Sequence, residues 1–165
     1  MPMEDCQAVL DSLEGSKLLS AIDVKAAFNN IPQPKEIERF TGMITQDGIY
    51  TYQVMAWGFN AAPCHYQHVR NRVMNTPHPV IPIPFNGVYL DDITVGGQHI
   101  TETWNHTLAG LWRIAISGQP INLWKCHFLV RKLNLLGVVL SESSYAVGKK
   151  ALAKLLDCQP PRTLK

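Results

Sequence analysis

The residues of this 165-residue chain best suited to chemistry are the adjacent acids Asp91 and Asp92, preceded by Tyr89 and Leu90. Side by side in a tight turn, two carboxylates repel one another and lose hydration unless a cation offsets them. Mg²⁺ is a hard ion that prefers carboxylate and phosphate oxygens. A pair of such ions can clamp both the attacking and the leaving oxygen of a phosphoryl transfer. A third acid, Asp23, closes the apolar run KLLSAID (17–23), the pattern of a buried strand that delivers one side chain at its end. Antiparallel neighbouring strands would bring Asp23 beside the Asp91-Asp92 tip. The same pair of acids also reads as a solvated turn, a common use of Asp.

The elements that must position these acids follow from patterning. Val88-Tyr89-Leu90 and Ile93-Thr94-Val95 are short β runs joined at Asp91-Asp92 and closed by Gly96-Gly97. Residues 4–13 predict a helix with Ala8, Val9 and Leu13 on one face and Gly15 beyond its end. Runs at 40–45 and 49–54 flank Asp47-Gly48, a strong hairpin signal. Residues 61–75 predict a helix with Pro63 in its first turn and Tyr66, Val69 and Val73 on one side. The proline-rich stretch TPHPVIPIP (76–84) predicts a surface loop. Trp104, Leu108, Leu111, Trp112 and Ala115 form the apolar stripe of a helix ending at Gly118. Residues 126–130 and 133–140 read as strands, SESS (141–144) as a turn, and 149–156 as a last helix before Pro160-Pro161. Strands, hairpins and helices interleave, which predicts an α+β fold: a mainly antiparallel sheet with helices packed on one face.

Composition narrows the function classes. Hydrophobic residues make up 46% and charged residues 17%, which excludes a largely disordered chain. No apolar run reaches the roughly 18 residues of a membrane span, and Glu4 and Asp5 stand where a signal peptide would carry bases. The expectation is a non-secreted protein with no membrane partner. The net charge of +2 permits a polyanion partner without requiring one. Cys6, Cys64, Cys126 and Cys158 lack a CxxC pair, so reduced thiols are expected. Cys64, His65 and His68 with Cys126 and His127 are an alternative set of zinc ligands, though their spacing is wide for a structural site. Asn105-His106-Thr107 fits a glycosylation acceptor only incidentally, mid-helix in a chain without a signal peptide. Lys149, Lys150, Lys154, Arg162 and Lys165 read equally as a phosphate-facing edge or a solvated helix.

Several segments, in order, resemble the reverse transcriptases of gypsy-type LTR retrotransposons and, more distantly, of retroviruses. LSAIDVKAAFNNIP resembles the segment with the first catalytic aspartate, and VYLDDITVGG the signature hairpin. FTGMITQDGIYTYQVMAWGFNAAPCHYQHV resembles the stretch from the fingers hairpin through the glycine-bearing loop into the next helix. INLWKCHFLVRKLNLLGVVLS resembles the approach to the primer grip, and VGKKALAKLLDCQPPRTLK the link toward thumb and connection. The sequence departs from the family at Ala56-Trp57, where Pro followed by Phe or Gln is usual, and at Phe59, where Leu is usual.

The resemblance implies a single palm domain over residues 1–165 with part of the fingers, including a hairpin at about 38–56, and with thumb, connection and RNase H domains absent. It implies an RNA-directed DNA polymerase that adds dNTPs to a primer 3′-hydroxyl with two Mg²⁺ ions, Mn²⁺ being an equally suitable ion. Asp23, Asp91 and Asp92 match the metal-binding catalytic triad, and the backbone of Val24 a further metal neighbour. Phe28 matches the residue under the nucleotide sugar, although without the motif it reads as a plain core aromatic. Trp57 and Gly58 match the loop touching the incoming nucleotide and template base, and Tyr89 the tyrosine at the primer end. Implied partners are an RNA or DNA template with its primer, dNTP, and the remaining polyprotein domains or another subunit. The implied setting is intracellular, in cytoplasm, nucleus or virus-like particles. The alternative is a non-catalytic, retroelement-derived module that binds nucleic acid or protein.

Overall fold

The computed structural model describes residues 6–81, 86–142, 144–148, 152, 153, 156 and 157. Its centre is a four-stranded antiparallel sheet of β1 (Leu18–Asp23), β4 (Asn86–Tyr89), β5 (Asp92–Gly97) and β6 (His127–Val130), in the order β4-β5-β1-β6. The β1–β5 register runs from Leu18 opposite Gly97 to Asp23 opposite Asp92. The predicted antiparallel α+β architecture is therefore present. Among the described residues no helix is long and apolar enough to cross a membrane.

Two cores cover the two faces of this sheet. On one side α3 (Ala62–Met74) and α4 (Ile100–Ile116) pack with Ile22, Val88, Ile93, Phe28, Tyr66 and Ile114. On the other, α1 (Cys6–Asp11) and a small sheet of β7 (Lys132–Leu135), β8 (Val138–Ser141) and β9 (Ser144–Val147) gather Val9, Leu13, Leu19, Leu133, Leu135 and Leu140. The helices are thus not confined to one face. Alternation along β1 explains the division, because Leu19 joins one core and Ile22 the other.

α4 is rotated relative to its apolar stripe. Trp104 and Leu108 are exposed, whereas Thr103, His106, Thr107, Ala109, Gly110, Arg113 and Ile114 are buried. Small residues let the helix lie close to the sheet. A Cβ on Gly110 would stand 3.3 Å from Cδ1 of Ile22. Thr107 donates to Ser20 Oγ at 2.8 Å, and His106 Nδ1 lies 2.7 Å from the Gly96 carbonyl oxygen, so polar pairs replace the larger apolar contacts. The helix stops as predicted at Gly118, whose φ is +72°.

Other elements shift by small amounts with definite causes. In and just after α1, Val9 and Leu13 are buried as expected, but Leu10 takes the place of the exposed Ala8, which turns the apolar face slightly. The hairpin strands are shorter than predicted, β2 Met43–Thr45 and β3 Gly48–Tyr50, and its two-residue turn is Gln46-Asp47 with Gly48 starting the return strand. The 133–140 run is β7 and β8 folded about Leu136-Gly137, both at positive φ, which suits a tight primed turn. β9 follows the SESS turn and was not foreseen; nor were α2 (Lys35–Glu38) and the 3₁₀ turns at Ala27–Asn30 and Leu123–Lys125. Of the proline-rich stretch, 76–81 is irregular and 82–84 lie outside the described residues. Most of the 149–156 helix and the basic terminal residues also lie outside them; Leu152, Ala153 and Leu156 are helical.

Candidate active site

β1 and β5 carry their acids to one end of the sheet. Asp23 is the last residue of β1 and faces Asp92, the first of β5, while Asp92 faces Tyr89 across the β4–β5 pair. The turn between β4 and β5 is Leu90-Asp91, one residue earlier than the Asp91-Asp92 turn expected from sequence. The ladder extends through Asp92, so the two acids occupy different environments: Asp91 on the turn, Asp92 on the strand. Leu90 adopts φ +49°, a left-handed conformation costly for a branched side chain. Gln67 of α3 holds that conformation. Its Nε2 donates to the Val88 carbonyl at 2.8 Å, and its Oε1 accepts from the Leu90 amide at 2.6 Å. The backbone of Asp23 is held on both sides, its amide donating to the Cys126 sulfur at 3.4 Å and its carbonyl accepting from Asn122 N at 2.9 Å.

Burial pushes the Asp91 carboxyl up, Arg70 and Lys125 pull it down, and Asp92 and Asp23 push it up again. Burial and then Asp23 likewise push Asp92 up. Oδ1 of Asp91 is buried and makes no hydrogen bond among the described residues. Crowded carboxylates with an unpartnered oxygen suit a divalent cation. Among the described residues, no three His, Cys, Asp or Glu side chains form a ready-made metal cage. Asp23, Asp91 and Asp92 are thus carried to one end of the sheet without being gathered into a three-carboxylate metal site. Asp23 and Asp92 also line a cavity of about 240 Å³ with Lys125, His127 and Asn134.

The remaining candidates separate into two groups. Phe28 is buried and stacks on Tyr66, with ring centroids 4.8 Å apart, and its other neighbour is Trp57, also at 4.8 Å. Trp57 is 71% exposed and precedes Gly58, whose φ of +92° suits glycine. Phe28 therefore is a core aromatic and also the inner support of an exposed ring. Val24 is buried and bridges to Ile121. Tyr89 stands apart, half-buried with the α1-side core, where a hydrogen bond with the Cys6 thiol raises its phenol pKa. The zinc alternative does not assemble: Cys64 is half-buried, His65 and His68 are exposed, and the Cys126 sulfur is engaged by backbone.

Residues 1–140 match the family described as reverse transcriptase (RNA-dependent DNA polymerase). This chain belongs to that family. The transposon Tf2-3 polyprotein of Schizosaccharomyces pombe is 24% identical over 164 residues, covering 99% of this chain and 12% of the polyprotein; the Tf2-4 polyprotein gives the same figures. The chain thus spans about an eighth of the curated relatives it matches. The foamy viral protease-reverse transcriptase dRH in complex with double-stranded DNA superposes with a TM-score of 0.86 at 20% identity, covering 99% of this chain and 28% of that one. The foamy viral protein in complex with an RNA/DNA hybrid gives 0.80 at 19% identity, covering 98% and 21%.

In this reverse transcriptase domain, sequence reading missed the residues of α3 that support the signature turn. The buried face of α3 is Ala62, Tyr66, Gln67, Arg70 and Met74, while Val69 and Val73 are only half-buried. The available signal was the four-residue spacing of Ala62, Tyr66, Arg70 and Met74. Gln67 and Arg70 on that face are buried polar groups that require partners.

Proposed function

We propose that this domain is the palm, with part of the fingers, of an RNA-directed DNA polymerase that adds dNTPs to a primer 3′-hydroxyl. The observation that carries the reading is the placement of Asp23 opposite Asp92, with Asp91 on the adjoining turn and its buried Oδ1 unpartnered. Asp23, Asp91, Asp92 and the Val24 backbone would hold two Mg²⁺ or Mn²⁺ ions, which when bound make the primer hydroxyl a better nucleophile and offset charge on the triphosphate. Gln67 keeps the turn in shape, so the carboxylates need not reorganise when substrate arrives. On this reading Phe28, whose ring packs on Tyr66 and Trp57, would lie under the nucleotide sugar and screen against a 2′-hydroxyl. Trp57 and Gly58 offer an exposed ring and an open backbone to the nucleobases, and Tyr89 offers a phenol to the primer end. The partners are an RNA or DNA template with primer, and the thumb and RNase H regions of a polyprotein or a second subunit would supply further phosphate contacts. Its setting is intracellular, in cytoplasm, nucleus or virus-like particle.

Primer extension on an RNA template with dNTPs and Mg²⁺ or Mn²⁺ tests this. The chain should extend the primer, and the Asp91→Asn, Asp92→Asn double variant should lose at least about a thousandfold in rate with its fold intact. Metal-dependent extension retained by the double variant overturns the assignment.

A further inference from the structure

The seam between β1 and β6 is irregular, and side chains take the places where its ladder fails. Leu19 stands opposite Val130 and Ala21 opposite His127, with a register shift between them. Leu129 lies within that shift at φ +54°, and its amide donates to Ser20 Oγ at 3.1 Å. Continued by two residues, the ladder would set Asp23 opposite Lys125, but Leu123–Lys125 form a 3₁₀ turn instead. A backbone amide that loses its strand partner must find another acceptor. For Asp23 that acceptor is the Cys126 thiol at 3.4 Å, which itself donates to the Asn122 carbonyl at 3.3 Å. Asn122 N returns a bond to the Asp23 carbonyl at 2.9 Å, so three bonds close a ring between the end of β1 and the turn. The residue type suits the place. It must accept from Asp23, donate to Asn122 and pack against the core of Ile22, Val24 and Phe28. A thiol does all three, being a weak donor, a weak acceptor and otherwise a small hydrophobe.

We propose that Cys126 is a positioning residue for Asp23, its thiol standing in for the missing strand partner and fixing the backbone from which the carboxylate projects. It acts on metal and substrate through Asp23 alone. The consequence for metal and nucleotide rests on the polymerase reading; the hold on the Asp23 backbone does not. Groups that orient a metal ligand from behind cost roughly 10- to 100-fold in metal affinity or activity when removed, and Cys126 holds that place behind Asp23.

The test compares the wild-type chain with Cys126→Ala, Cys126→Ser and, as a thiol control, Cys64→Ala, which replaces a half-buried cysteine on α3. Circular dichroism checks folding. Amide exchange read residue by residue by nuclear magnetic resonance, without metal, should quicken about fivefold or more at Asp23 in Cys126→Ala and stay at the wild-type rate at Ile93. Mn²⁺ affinity, read by electron paramagnetic resonance, should fall roughly tenfold in the same variant. At saturating metal, primer extension should lose roughly tenfold in kcat, with KM for dNTP changed less than about twofold. Cys126→Ser keeps a donor and an acceptor on a shorter bond and should recover part of each loss; Cys64→Ala should match wild type. Unchanged exchange at Asp23 in folded Cys126→Ala overturns the proposal, as do faster exchange with wild-type Mn²⁺ affinity and kcat, or equal losses in Cys64→Ala. Should Cys126→Ala fail to fold, Cys126→Ser carries the same exchange comparison with a smaller expected change. A wild-type chain that neither binds Mn²⁺ nor extends a primer would count against the polymerase reading, and exchange at Asp23 would still decide whether Cys126 holds that backbone.

Discussion

The carboxylate end of the palm sheet and the β2–β3 hairpin draw on the same β-branched and aromatic residue types, with opposite results. Ile93, next to Asp92, is 0% exposed, whereas Ile44 and Ile49 on the hairpin are 84% and 74% exposed. The palm strands lie between two cores and are tied by side chains from α3. The hairpin has its own ladder and is tied at its base, where Gln33 N donates to Gln53 O at 2.9 Å and Met55 N to Ile31 O at 2.9 Å. On the proposed function the acids meet a reacting phosphate and need positions fixed in advance, which packing on both faces supplies. A segment with few buried contacts opens at low cost and suits a surface that meets a partner.

The sharpest way to break this comparison is one substitution made in both places. Ile93→Ala should cost about 3 kcal/mol in urea unfolding, through lost burial and the cavity left behind. Ile49→Ala should cost less than about 0.5 kcal/mol in the same measurement. Equal costs would mean that the hairpin is as firmly packed as the palm. Next in size, Gln67→Ala strands a buried carbonyl and an amide beside a left-handed Leu90, at about 2 kcal/mol. Amide exchange should then rise at the β4–β5 turn and stay unchanged at Ile44 and Ile49.

The smallest expected effect appears at alkaline pH. Folded Tyr66 keeps its proton to about 12 against an ordinary value of 10.0, so the unfolded chain releases a proton that the folded chain retains. Stability is unaffected below pH 10 and falls as pH rises from there toward 12. Tyr66→Phe should flatten this fall, and ultraviolet titration should lose its latest-ionising tyrosine. A wild-type spectrum with no late phenol would remove Tyr66 from the buried group.

Much of the frame was legible in sequence because local rules decide it. Short apolar runs located β1, β4 and β5, Gly118 marked the end of α4, and Pro77 and Pro79 fall in the irregular stretch 76–81 after α3. The Leu136-Gly137 turn was hidden inside a continuous apolar run. The outward stripe of α4 also misled, because Trp104 and Leu108 follow a helical period without being the face that approaches the sheet. Gly110 and Thr107 win that place through close approach, which hydrophobicity alone does not report.

By itself, the sequence determined the acids, the strand ends that carry them, the family motifs and their order, since each depends on residue type and short spacing. Only the tertiary structure decided that Asp23 stands opposite Asp92, that the turn falls at Leu90-Asp91, and that Gln67 of α3 holds it. These facts depend on strand register and on which helix face is turned inward. Both are set by contacts between segments far apart in the chain, where packing and the partners of buried polar groups outweigh local preference.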